Sequence, residues 1–288
     1  MTSKQQLDLL AAIPLSLGSG GDTLRLRAAA KIARSLGDLV MTAASGEETD
    51  LKAPVWEELR RVYHGLREHA LRQSARRSVR RDLLSELLAF RESGIVPDEA
   101  LVDEAGTFLA REESDEPGLS SLRLRLLYVH YGLQAETLRG EPAGEALCRW
   151  AVAAASGPSV HADSALGGHL CRAELLALFA RFFPEDAAAV PGFTDALLQV
   201  HDALVPEALA ALSPETELAD IEALYSLLAE EIRPEEDRQL LRGLTATLDK
   251  QILPAHADSD ARLFLRSLLL DAENRAKREG RWEKMTNN

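Results

Sequence analysis

The sequence predicts an all-α protein: a multi-helix bundle or an α-solenoid-like stack of helical hairpins, with about ten to twelve helices and no β-sheet. Three observations carry this expectation. Apolar residues recur at helical spacing along nearly the whole chain, strand-like alternation is nowhere sustained, and capping residues or prolines stand ahead of the apolar-periodic segments. Bundle and stack stay equally open, although none of the repeat patterns of about 33–47 residues that mark the common solenoids is present.

The opening segment, MTSKQQLDLLAAIPLSLGSGG, has one lysine before its apolar stretch and Asp8 inside it, so it reads as a helix and a glycine linker rather than a secretory leader. Its LGSGGDT stretch has neither the lysine nor the preceding strand of a phosphate-binding loop, and Asp22 reads as the cap of the next helix, TLRLRAAAKIARSLG. From Pro54 toward Glu92, Leu59, Val62, Tyr63, Leu66 and Ala70 share one helical stripe, to which Leu84, Leu87 and Leu88 return. Pro97-Asp98-Glu99 opens ALVDEAGTFLA, Ser213-Pro214-Glu215 opens TELADIEALYSLLAEEI, and Pro234-Glu235-Glu236 opens DRQLLRGLTATL. Each places a cap, an N1 proline or early carboxylates where first-turn N–H groups and the helix dipole favour them. HADS occurs at 161–164 and again at 256–259, and at both places Asp and Ser suit the cap of a following helix. In the last segment, Leu263, Phe264, Leu268 and Leu269 or Leu270 form an apolar face, and a basic end follows; core docking is its first use, self-association its second.

The acidic loop REESDEPGL, 111–119, reads as the divide between an N-terminal part, 1–112, and an acidic C-terminal part, 113–288, with one continuous domain as the alternative. Residues 1–93 hold 15 Lys+Arg and 12 Asp+Glu, a net of +3, whereas the remainder holds 18 and 34, a net of −16. Within the first part, residues 60–81 contain eight arginines against Glu68 alone. A continuous helix there would set Arg77, Arg80 and Arg81 into its own apolar stripe and stack Arg72, Arg76 and Arg80 as like-charge neighbours. Each such pair costs about 0.2–0.5 kcal/mol in an isolated helix. Something negative is therefore expected opposite Arg72, Arg76, Arg77, Arg80 and Arg81: an internal carboxylate, water at a helix break near Gln73-Ser74, or an acidic protein or peptide partner. Nucleic acid fits less well, because the chain has a pI of about 5.1 and only Tyr63 supplies an aromatic ring near the arginines.

Composition excludes several classes. The 288 residues are 46% hydrophobic and 27% charged, too apolar for a disordered chain. No apolar run approaches the length of about 18 residues that a bilayer requires, so no membrane insertion is expected. Two cysteines, Cys148 and Cys171, read as reduced thiols in the cytoplasm. In HGLREH, His64 and His69 stand five apart, off the spacing that aligns two metal ligands on one helix face. No catalytic constellation and no cofactor site emerge, so the expected function is that of an adaptor, regulator or assembly factor.

One stretch carries a rival reading. LLQVHDALVPE places His201-Asp202 after an apolar run, with His169 or His161 upstream and Asp258 or Asp260 downstream. This order is similar to that of the HD-domain phosphohydrolases, all-helical metal-dependent enzymes with a His, His-Asp, Asp ligand pattern. The resemblance spans about residues 160–260 and implies a divalent-metal site at His169, His201, Asp202 and Asp258 that would activate water against a phosphate ester. The chain departs from that pattern after the dipeptide, where Ala203-Leu204 replaces the glycine and lysine frequent in the family.

Overall fold

The computed structural model describes residues 1–15, 22–43, 46–72, 77–110, 119–132, 137–138, 141–156 and 165–286. The chain is all-α, as the periodicity predicts. In chain order the helices are α1 (Ser3–Ala12), α2 (Asp22–Met41), α3 (Glu47–Asp50), α4 (Lys52–Arg72), α5 (Arg77–Ala89), α6 (Glu99–Ala110), α7 (Leu119–Leu127) and α8 (Ala143–Ser156). There follow α9 (Ala165–Phe182), α10 (Pro184–Ala189), α11 (Phe193–Ala211), α12 (Leu218–Ala229), α13 (Pro234–Thr247), α14 (Leu253–Ala255) and α15 (Ser259–Thr286). Among the described residues the only extended pairing is a two-residue antiparallel ladder, Thr137–Leu138 against Glu141–Pro142. It departs from the expectation of no sheet, but it is too short to bury a face. No helix among the described residues is long and apolar enough to cross a membrane.

The backbone groups into two compact units, residues 1–98 with 247–288, and residues 99–246. The boundary expected at 112–113 lies outside the described residues. Chain order had placed 247–288 with the acidic part, whereas in the fold they group with 1–98, because the apolar face of α15 lies on α2. The first unit holds 23 Lys+Arg and 20 Asp+Glu, net +3; the second holds 10 and 26, net −16.

In the first unit α2 is central, packed by α15, α4, α1 and α5. Ala28, Ala29, Ala30 and Ala33 are fully buried and let neighbouring backbones come close, while Leu26, Ile32, Leu36 and Leu39 fill the spaces between them. Its basic residues tie the neighbours down. Arg25 grips Asp260 of α15 through Nε and Nη2 at 3.0 and 2.9 Å, Arg27 lies over the Phe264 ring, and Arg34 donates to the buried Glu86 of α5 at 2.7 Å. α1 begins with a capping box, in which Thr2 Oγ1 accepts from the Gln5 N–H and Gln5 Oε1 accepts from the Thr2 N–H. In the second unit α9 is central, packed by α12, α8, α11, α7 and α10, and buries Leu170, Leu176, Ala177 and Phe179. Cys148 of α8 is a free, buried thiol whose pKa is pushed up to about 12 by burial and by the nearby Asp186 charge.

Candidate functional site

The arginine-rich stretch is not one helix. The rings of Tyr63 in α4 and Phe90, just past α5, lie 5.7 Å apart, edge to face. A continuous helix would separate them by about 40 Å. The chain therefore reverses between Arg72, the last residue of α4, and Arg77, the first of α5. This resolves the conflict that a straight helix poses: Leu59, Val62, Leu66 and Ala70 of α4 and Leu84, Leu87 and Leu88 of α5 are all buried, on two antiparallel helices, without guanidinium groups interrupting a single stripe. The break expected near Gln73-Ser74 lies outside the described residues.

The fold itself uses several of the eight arginines. Arg60 stacks over Trp56, with its Cζ 5.5 Å from the ring centroid. Arg61 donates to the carbonyls of Leu10 and Ile13 at 2.7 and 3.2 Å, satisfying the open C-terminal end of α1, and also pairs with Glu58. Arg67 holds Asp98 at 2.7 Å, and the Asp98 N–H donates to Tyr63 Oη, which pins the segment ahead of α6 against α4. Arg81 donates to the adjacent Asp82 at 3.2 and 3.3 Å, and its side chain is only 18% exposed. Arg80 is half-buried. The side chains of Arg72 and Arg77, and the whole of Arg76, lie outside the described residues. α5 has no acidic residue in its first turn to offset the positive end of the helix dipole.

The second candidate, His201-Asp202, lies on α11. His201 is buried, and its Nε2 donates to Asp237 Oδ1 at 2.9 Å while its Nδ1 donates to Asp202 Oδ1 at 3.2 Å. An imidazole between two carboxylates serves both only when it carries both protons. Burial opposes that charge, but the hydrogen bonds to Asp237 and Asp202 outweigh it and raise the His201 pKa. Asp202 is in turn gripped through both oxygens by Arg233, at 2.7 Å from Nε to Oδ1 and 2.5 Å from Nη2 to Oδ2, and its pKa falls to about 2. Asp237 Oδ2 accepts the Arg233 backbone N–H at 2.8 Å, at the start of α13. The result is a line of alternating charge, Arg233, Asp202, His201 and Asp237, tying α11 to the head of α13.

This arrangement bears on the metal-site residues. Both oxygens of Asp202 are taken by Arg233, and both nitrogens of His201 face carboxylates. Asp258 caps α15, its Oδ1 accepting from the N–H groups of Asp260 and Ala261 at 2.7 and 3.2 Å. The side chain of His169 and the whole of His161 lie outside the described residues. Among the described residues no group of three or more His, Cys, Asp or Glu is arranged to hold a metal ion. Of the other histidines singled out by the sequence, His69 is buried with Nε2 at 3.3 Å from Thr23 Oγ1, and His64 is exposed.

Sequence reasoning missed Arg233 and Asp237. Asp237 reads locally as one more carboxylate favouring the first turn of α13, and nothing in the linear order announces that its partner comes from α11. No family model, curated protein or solved structure matches the chain.

Proposed function

We propose that this chain is a non-catalytic interaction protein, an adaptor, regulator or assembly factor, that presents arginines of the α4–α5 reversal to an acidic protein or peptide. The observation that carries the reading is the reversal itself. Arg72 ends α4 and Arg77 begins α5, so the arginines that a straight helix would string out are divided between two antiparallel helices on either side of it, and guanidinium groups suit carboxylates. Arg60, Arg61, Arg67 and Arg81 make contacts within the fold and Arg80 is half-buried, so the reading centres on Arg72, Arg76 and Arg77. The net charge of +3 on this unit, against −16 on the other, favours an acidic partner here over a basic one. The buried thiol of Cys148 fits a reducing cytoplasm.

The test is a variant carrying Arg72→Gln, Arg76→Gln and Arg77→Gln, compared with wild type for unfolding free energy and for binding of poly-glutamate at low and moderate salt. Glutamine keeps helix propensity while removing charge. Unchanged or raised stability with loss of a salt-sensitive poly-glutamate interaction is the expected result. A loss of several kcal/mol would instead make these arginines internal partners of buried carboxylates, and the reading would fall.

A further inference from the structure

Aromatic residues make up only 5% of the chain, yet Tyr131, Phe179, Phe182 and Phe183 gather at one place in the second unit, where the end of α7 meets the end of α9. α7 runs on into a wider, π-helical turn, Tyr128–Gly132, from which the adjacent His130 and Tyr131 both reach the Phe182 ring, at 4.7 and 5.9 Å between centroids. His130 also meets Tyr131 at 4.5 Å and Phe183 at 5.8 Å, each edge to face. Phe179, fully buried, stacks on Phe183 and roots the cluster in the core. Its outer side reaches the surface: His130 is exposed, and Tyr131, Phe182 and Phe183 are half-buried.

The molecule already shows what such rings accept. Arg181 places its Cζ 5.1 Å from the Phe182 centroid while its Nη1 donates to Glu230 at 3.1 Å, so one guanidinium is served by a ring and a carboxylate together. The surrounding charge asks for more cation. The unit has a net charge of −16, and Glu185, exposed in the first turn of α10 and two residues past Phe183, makes no ion pair among the described residues. We infer that this aromatic surface docks an arginine-bearing peptide segment, whose guanidinium stacks on the rings of His130, Tyr131 and Phe182 while the unit's carboxylates attract its charge. An acidic segment would be repelled here. Arginine is favoured over lysine because its planar, weakly hydrated head stacks on a ring, whereas an ammonium keeps its water. The inference concerns residues 99–246 alone and does not rest on the arginines of α4 and α5.

The experiment uses three fluorescently labelled peptides of glycine and serine, carrying three arginines, three lysines or three citrullines. Each is titrated at pH 8, at low and moderate salt, against the full chain and against Tyr131→Leu and Phe182→Leu, which keep apolar bulk and remove a ring face. Wild type is expected to bind the arginine peptide about five- to tenfold more tightly than the lysine peptide, and the uncharged citrulline peptide more weakly than either. Each variant should reduce the arginine preference about threefold or more and leave the salt dependence unchanged. An unfolding curve shows that each variant is folded, and the wild-type comparison decides the proposal even where one is not. Equal binding of the arginine and lysine peptides would overturn it, as would citrulline binding as tightly as arginine. A preference kept by both folded variants, or no binding of any peptide, would also overturn it.

Discussion

His201 and Asp237 form a hydrogen bond of 2.9 Å between two side chains that are 3% and 0% exposed, joining the middle of α11 to the first turn of α13. With Asp202 on its other nitrogen, the imidazole faces two carboxylates that favour its doubly protonated form. Its folded pKa lies above the ordinary value of 6.5, so its stabilising contribution is complete below about pH 6.5 and is lost as pH rises through the folded pKa.

The expected outcome follows for His201→Gln. The stability difference between wild type and variant should be largest at about pH 6 and should shrink as pH rises through the raised folded pKa, when measured by urea unfolding at each pH. A difference that grew with pH would mean that the native imidazole is neutral. His201→Ala should cost about 3 kcal/mol near pH 6, because it leaves the buried Asp237 carboxylate without its cationic partner. Asp202 has the opposite sign: with its pKa held near 2, its contribution is present above the unfolded value of 3.8 and fades as pH falls toward 2.

A second prediction concerns the first unit. Gln6 of α1 and Asn274 of α15 are fully buried and exchange two amide hydrogen bonds, each 2.9 Å, while Asn274 also donates to Ser35 Oγ of α2 at 3.1 Å. Asn274→Leu strands the Gln6 amide and should cost about 2–3 kcal/mol. Gln6→Leu combined with Asn274→Leu removes both partners and should be clearly less destabilising than the sum of the single changes. Equality with that sum in a double-mutant cycle would show that the two amides are not coupled.

Asp38 supplies a third. Burial raises its pKa to about 6, although Arg278 at 3.4 Å pulls the other way and Glu92 adds to the rise. A carboxyl whose folded pKa exceeds its unfolded value of 3.8 binds its proton more tightly in the native state. Its ionisation therefore costs nothing below about pH 4 and destabilises increasingly as pH rises to about 6. Asp38→Asn should raise stability at pH 7 and leave it unchanged at pH 4. Because a third of the side chain remains exposed, solvent screening limits the gain to about 1 kcal/mol. A variant less stable than wild type at pH 7 would make the Arg278 pair the dominant interaction instead.

Much of the local structure was legible in the residues. Asp258, a cap by its sequence context, caps α15; Pro234 with its carboxylates opens α13; and Phe264 and Leu268 of the last segment are buried against α2 as core docking requires. These are short-range matters, settled by backbone N–H groups that need an acceptor within a turn and by the period of the α-helix. The arginine stretch was legible only as a conflict. Its stripe positions were identified correctly, but whether Leu59 and Leu88 lie on one helix or on two facing ones is decided by the reversal that the Tyr63–Phe90 contact reveals.

By itself the sequence determined the helical class, several helix starts such as those of α6, α13 and α15, and the local excess of arginine, because periodicity, capping and charge are properties of neighbouring residues, whereas α12 begins at Leu218, after the expected Ser213-Pro214-Glu215. Only the tertiary structure decided that α15 returns to α2, that His201 is spoken for by Asp237 and Asp202, and that α5 folds back on α4. Each of those depends on which helices meet. Hydrophobic burial drives that meeting but carries no direction of its own, so the partner of a given face is fixed by the packing of the whole unit and not by any segment within it.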